Sequence, residues 1–188
     1  MDKIVFDIET KNSFADVGGQ ENLKALEVSV VGVYSYADDK YYCFGVDEFE
    51  KLGVLFKRTN LLVGFSSKRF DIPVLEKYFN FNLNAIPHVD LLEEVEKCYG
   101  RRVGLGVLAE ANLGVGKTGH GLEAITLWNN GEIEKLKSYC LNDVKLTKDL
   151  YELIRRQGYI FIPERGSLTL TKVPIELKEE VITQSRLI

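Results

Sequence analysis

Cysteine is scarce in this sequence and badly spaced for cross-linking. Only Cys43, Cys98 and Cys140 occur. They are odd in number, far apart, and never within two to four residues of another Cys or His. That excludes a disulfide framework and a thiolate zinc site, and leaves core packing as their expected role. The two histidines, His88 and His120, also lack metal-ligand spacing. No apolar run approaches the ~18 residues needed to cross a membrane. The start, Met1-Asp2-Lys3-Ile4-Val5-Phe6-Asp7, lacks the basic stretch and cleavage site of a secretory signal. The expectation is a soluble, cytoplasmic chain with no membrane partner. Positive charge is not in excess either: 24 Lys+Arg stand against 28 Asp+Glu, a net charge of -4. That excludes global attraction to a phosphate backbone, so a nucleic-acid partner would have to be held by local basic residues or bound metal. Internal repeats and low-complexity tracts are missing, which argues against solenoids and disordered tails.

What is present is enough for one domain: 188 residues, 45% of them hydrophobic. Lys3 to Ile8 is β-branched and apolar and reads as a buried strand. Val28 to Tyr36 and Lys40 to Gly45 flank a turn at Ala37-Asp38-Asp39, which predicts an antiparallel hairpin. Beyond it, Asp47–Lys57 and Ile72–Phe79 read as helices, Leu61–Phe65 and Ile86–Leu91 as short strands, and 92–158 as helices broken by Gly. Ile133, Leu136, Cys140, Val144, Thr147, Leu150, Tyr151 and Ile154 make a stripe at three- and four-residue spacing, the mark of a long amphipathic helix. Asn129 with Glu132 predicts its cap, and Gly158 its end. Three strands followed by alternating helices and strands predict an α/β or α+β sheet with helices on its faces. The tail after Pro163 fits an edge strand or a loose extension.

Four carboxylates stand where bland explanations compete with chemistry. Asp7 and Glu9, two apart at a strand end, leave one face about 6.6 Å from each other along the chain. Asp71 opens a predicted helix, where it fits an N-cap or a ligand. Asp143 lies inside the apolar stripe, where burying a carboxylate costs several kcal/mol, about enough to demand a partner or a cation. Tyr139 is one turn earlier on the same face. Two divalent cations would neutralise four converging carboxylates in one step.

Asp7-Ile8-Glu9-Thr10, the segment Gly64 to Asp71, and Tyr139-Cys140-Leu141-Asn142-Asp143 resemble, in order, the three exonuclease motifs of the DEDD superfamily. The Tyr-x-x-x-Asp form is similar to the DEDDy branch, which includes proofreading domains of family-B DNA polymerases and RNase D. The resemblance covers residues 1 to about 158. It implies a ribonuclease-H-like fold of the α/β class: a mixed five-stranded sheet, strand 2 antiparallel, flanked by helices. On this reading residues 1–162 form the exonuclease domain and 163–188 a C-terminal extension. The resemblance also implies 3′-to-5′ hydrolysis at nucleic-acid 3′ ends with two Mg²⁺ or Mn²⁺ ions. Asp7, Glu9, Asp71 and Asp143 would hold the metals, and Tyr139 would orient the attacking water, since a phenol with a pKa near ~10 is a poor free base. Thr10, Phe14, Ser66, Lys68, Arg69 and Lys117 are the candidate substrate contacts. Phe14 suits a stacked terminal base, and Lys68 and Arg69 suit a phosphate backbone. One departure is plain: family members usually carry Asn about five residues before the motif-two Asp, and Ser66 stands there.

Gly114-Val115-Gly116-Lys117-Thr118 imitates the end of a phosphate-binding loop. Such a loop follows a strand and opens a helix, whereas 103–113 reads as helical, so a nucleoside triphosphatase is disfavoured and a Gly-rich hinge preferred. Asp90 fits a helix cap or a partner behind the metal ligands. Leu122, Ile125, Leu127 and Trp128 read as core. The expected substrate is nucleic acid with a free 3′ end, single-stranded and DNA by preference, with a helicase or polymerase as a plausible partner. An RNA-processing exoribonuclease and a non-catalytic nucleic-acid-binding accessory subunit are the alternatives, because nothing in the sequence reads a 2′-hydroxyl.

Overall fold

The computed structural model describes residues 2–116, 121–164, 166 and 169–179. β1 (Asp2–Thr10), β2 (Val28–Ser35), β3 (Lys40–Gly45), β4 (Thr59–Gly64) and β5 (His88–Asp90) form one sheet in the order β3-β2-β1-β4-β5. β2 runs antiparallel to both of its neighbours, while β1, β4 and β5 are parallel. This is the mixed, five-stranded α/β sheet that the family resemblance implies. α1 (Phe49–Arg58) and α2 (Asp71–Leu75) follow β3 and β4. α3 (Leu91–Tyr99), α4 (Leu105–Leu113), α5 (Gly121–Asn129) and α6 (Ile133–Gln157) come after β5.

The two-residue period of β1 sorts its side chains between two cores. Ile4, Phe6 and Ile8 pack with Leu52, Phe56, Ile72 and Leu75 of α1 and α2. Val5 points the other way, into the cluster that holds Leu108 of α4 and Val144, Leu150 and Ile154 of α6. Asp7 and Glu9 share Val5's parity and therefore its side of the sheet, the side that α6 covers. Helix α6 buries Leu136, Cys140, Val144, Thr147, Leu150, Tyr151 and Ile154, and it ends at Gly158 in the left-handed region, φ 74°. Its start differs from expectation. Asn129 closes α5, and α6 begins at Ile133 behind Glu132 with no side-chain cap.

The tail contributes structure: β7 (Leu170–Pro174) pairs antiparallel with β6 (Tyr159–Pro163) in a separate hairpin. Ile160, Ile162, Val173 and Ile175 join the α6-side core. Asn112 of α4 acts as a substitute strand for β6, donating from Nδ2 to the Phe161 carbonyl at 2.7 Å and accepting the Phe161 N–H at 2.7 Å. The cysteines divide three ways: Cys140 is buried, Cys43 half-buried against the same small core, and Cys98 exposed, so the expected core packing fails for Cys98.

Candidate active site

The carboxyl ends of parallel strands are where open α/β sheets bind ligands, because loops and helix starts converge there. In this chain the ends of β1 and β5 carry acids, and the loop after β4 leads to another, Asp71. Asp7 and Glu9 end β1, and Glu9 is 7% exposed. The β1–β4 ladder stops at the pair Val5–Val63. Beyond it, the Ile8 N–H, between the two acids, donates to Asp71 Oδ1 at 3.2 Å. Asp71 is 3% exposed and is the first residue of α2, behind Phe70, so it does not cap that helix. Its carboxylate is turned to β1 instead. Burial first, and the charge of Asp90 second, push the Asp71 carboxyl up to about 8.

Asp90 is fully buried and does more than end a strand. It caps α3, accepting the N–H groups of Leu92 at 3.0 Å and Glu93 at 3.3 Å. It also accepts the N–H groups of Ser66 at 2.9 Å and Lys68 at 3.0 Å. One side chain thus ties β5 and α3 to the loop that delivers Asp71. The sequence suggested the cap; the clamp on the loop required the fold. Ser66 sits in that loop at φ 64°, a left-handed conformation in which Asn is better tolerated than most residues. Its Oγ accepts from Arg102 Nη2 at 3.1 Å. Beside the loop, His88 Nε2 meets Ser67 Oγ at 2.8 Å, and burial pushes the imidazole pKa down to about 3. His88 is neutral and structural.

Helix α6 brings the third motif to the same strand. Cys140 Sγ lies 3.6 Å from the Asp7 carbonyl oxygen and 4.0 Å from Asp7 Oδ2. Tyr139 (6% exposed) precedes it, and Asp143 (3% exposed) follows one turn later. Ligand atoms of Asp7, Glu9 and Cys140 all lie within 4.8 Å of one another.

The candidate substrate contacts separate. Phe14 packs edge-on against Phe70, ring centroids 5.7 Å apart. Together with Leu122 and Ile125 they line an apolar cleft of about 310 Å³ that Glu9 and Thr10 also border. Leu122, expected in the core, is 70% exposed and faces this cleft. Lys68 and Arg69 do not stand as free cations: Lys68 Nζ pairs with Glu93 at 2.9 Å and Arg69 with Glu96 at 2.9 Å. Lys117 falls outside the described residues. The rejected phosphate loop is indeed preceded by a helix, α4, ending at Gly114 in the left-handed region.

A ribonuclease-H-like sheet with acids gathered at the carboxyl ends of its parallel strands defines the class of protein. A family model described as RNase_H superfamily matches residues 4–155, and the chain belongs to that superfamily. Among solved structures it is similar to the family B DNA polymerase from the hyperthermophilic archaeon Pyrobaculum calidifontis, with a TM-score of 0.60 and 20% identity over 82% of this chain. It is also similar to exonuclease I, with a TM-score of 0.58 and 14% identity over 82% of this chain. The matched regions make up 24% of the polymerase chain and 41% of exonuclease I. No curated protein sequence matches it.

Proposed function

We propose that the chain is a metal-dependent 3′-to-5′ exonuclease of the DEDDy type, acting on single-stranded nucleic acid with a free 3′ end, DNA by preference. The observation that carries this is the convergence on the end of β1: Asp7 and Glu9 on the α6 side, Asp71 bonded to the amide between them, and the Tyr139-to-Asp143 turn of α6 held against Asp7 through Cys140. The donor chemistry fits hard divalent cations. Carboxylate oxygens are the ligands that Mg²⁺ and Mn²⁺ prefer, and carboxylates crowded in a buried site are disfavoured unless positive charge offsets them. Asp7, Glu9, Asp71 and Asp143 would hold the two ions. When bound, such a pair supplies a nucleophile at neutral pH and stabilises the departing 3′ oxygen.

The protein's own groups do the rest. The apolar cleft of Phe14, Phe70, Leu122 and Ile125 takes the terminal base by stacking and burial, which any base can satisfy. Thr10 borders the same cleft. Tyr139 orients the attacking water through its hydroxyl. Tyr139→Phe keeps the ring packing and removes that hydroxyl, so kcat is expected to fall about 10- to 1,000-fold with substrate affinity kept, the range for a positioning donor. Single-turnover rates and oligonucleotide affinities, measured separately, check this; an equal loss in affinity would assign Tyr139 to binding.

The reading itself is tested with a 5′-labelled oligonucleotide. Mn²⁺ or Mg²⁺ is expected to give a ladder of products shortened from the 3′ end, EDTA to abolish it, and a 3′-terminal phosphorothioate to slow it. Cleavage in EDTA, or of a closed circle, would overturn the assignment. Running DNA and RNA, single- and double-stranded, side by side settles the preference.

A further inference from the structure

Asp7, Gly32 and Cys43 lie in one row across the sheet, paired β1 to β2 to β3. Gly32 has no side chain, and α6 fills the space: a Cβ at Gly32 would come within 2.9 Å of Cys140 Sγ. Two thiols far apart in sequence therefore meet in space. Cys43 packs against the small core that contains Cys140. Cys140 Sγ is in turn 4.0 Å from Asp7 Oδ2, in the group it forms with Asp7 and Glu9. The sequence spacing argues against any thiolate zinc site, but the fold assembles two carboxylates, a buried thiol and a second thiol behind it.

We propose that Cys140, with Asp7 and Glu9, forms a site for a thiophilic divalent cation of the Zn²⁺ or Cd²⁺ class, and that such an ion displaces the hard ions from this end of β1. Zn²⁺ takes thiolate at ~2.3 Å and carboxylate at ~2.0–2.2 Å, which in a tetrahedral site puts sulfur and oxygen about 3.5 Å apart. The 4.0 Å separation needs only a small closure. Mg²⁺ and Mn²⁺ select oxygen and leave the sulfur aside, whereas Zn²⁺ and Cd²⁺ recruit it. The cation takes the place of the Cys140 thiol proton, which leaves to solvent, so no oxidant or reductant is involved. Cys43 lies behind the site, against the same small core as Cys140. The displacement half of the proposal rests on the reading that Asp7 and Glu9 hold the catalytic ions. The thiophilic site itself stands on the geometry alone.

The test uses the whole chain, freed of metal by chelation and titrated with Cd²⁺ while thiolate-to-cadmium charge-transfer absorption is recorded in the ultraviolet. Wild type is expected to develop the band at one equivalent, and Cys140→Ser to lack it, with Cd²⁺ affinity reduced about 10- to 100-fold or more. Cys43→Ser should weaken Cd²⁺ binding by less, and Cys98→Ser, at an exposed position, should leave the band intact. Folding of each variant is checked by circular dichroism before titration. A wild type without the band, or a Cys140→Ser variant that keeps it, overturns the site. In parallel, Mn²⁺ is followed by electron paramagnetic resonance: Cd²⁺ should release bound Mn²⁺ from wild type but do so poorly from Cys140→Ser. Mn²⁺ retained under saturating Cd²⁺ overturns the displacement. Failure of the underlying function reads differently, as a wild type that binds no Mn²⁺ at all.

Discussion

Asp71→Asn is expected to reduce cleavage by about 10³-fold or more, some 4 kcal/mol of transition-state stabilisation, while the metal-free protein stays folded and gains stability at alkaline pH. Asn keeps the shape and an oxygen that can still accept the Ile8 N–H, but it loses the charge that a cation needs. The stability half follows from the raised pKa. In the folded, metal-free chain the carboxyl titrates at about 8, against 3.8 for an unperturbed Asp. Between those values the native state holds a proton that the unfolded chain has released. The Asp71 contribution to stability therefore falls as pH rises through that window and is lowest above about 8. Asn removes this dependence, so metal-free melting curves at pH 5 and pH 9 should differ less in the variant, which should overtake wild type at the higher pH. Added Mn²⁺ should raise the wild-type melting temperature and the variant's much less, because binding to the native state alone stabilises it. A variant that melts below wild type at pH 9 without metal would give Asp71 a structural role that outweighs its charge.

Gly32→Ala should lower both stability and activity without touching any acid. The added Cβ would lie 2.9 Å from both Cys140 Sγ and Val144 Cγ2, side chains that are fully buried where α6 crosses β2. Overpacking of this kind costs about 1–3 kcal/mol. A shift of the helix off the sheet relieves the clash, and it carries Tyr139 and Asp143 with it. A displacement near 1 Å at a catalytic group is worth about 10²-fold in rate. Opening space with Cys140→Ala and Val144→Ala in the Gly32→Ala background should return part of the cleavage rate even as the melting temperature falls further. If activity follows stability down, the effect is general loosening, and the seating of α6 over Gly32 is not what sets the site.

Much of this arrangement is legible in the sequence because it depends on neighbours a few residues apart. Alternation in β1 puts Asp7 and Glu9 on one side of the sheet, and the three- and four-residue stripe of α6 puts Tyr139 and Asp143 on a buried face. Asp71 was harder to place. A helix-opening Asp fits a cap equally well, and only the end of the β1–β4 ladder, with its available Ile8 N–H, shows where the carboxylate goes. Lys68 and Arg69 suggested a basic edge, yet Glu93 and Glu96 of α3, more than twenty residues on, take up their charge. Leu122 and Ile125 looked like core because apolar side chains usually are; that they line a cleft depends on where α5 lies relative to Phe14 and Phe70.

The sequence by itself determined the strand and helix periods, the hairpin, the order of the acids along the chain, and hence which side chains share a face. These follow from backbone geometry over single turns and residue pairs, so a short window suffices. The tertiary structure decided which faces meet. It set the depth at which α6 sits over Gly32, gave Asp90 the loop before Asp71 to hold, and brought Cys43 to Cys140 across about a hundred residues of chain. Such contacts depend on packing between elements, where the absence of one Cβ or the reach of one carboxylate selects the arrangement, and no local period records them.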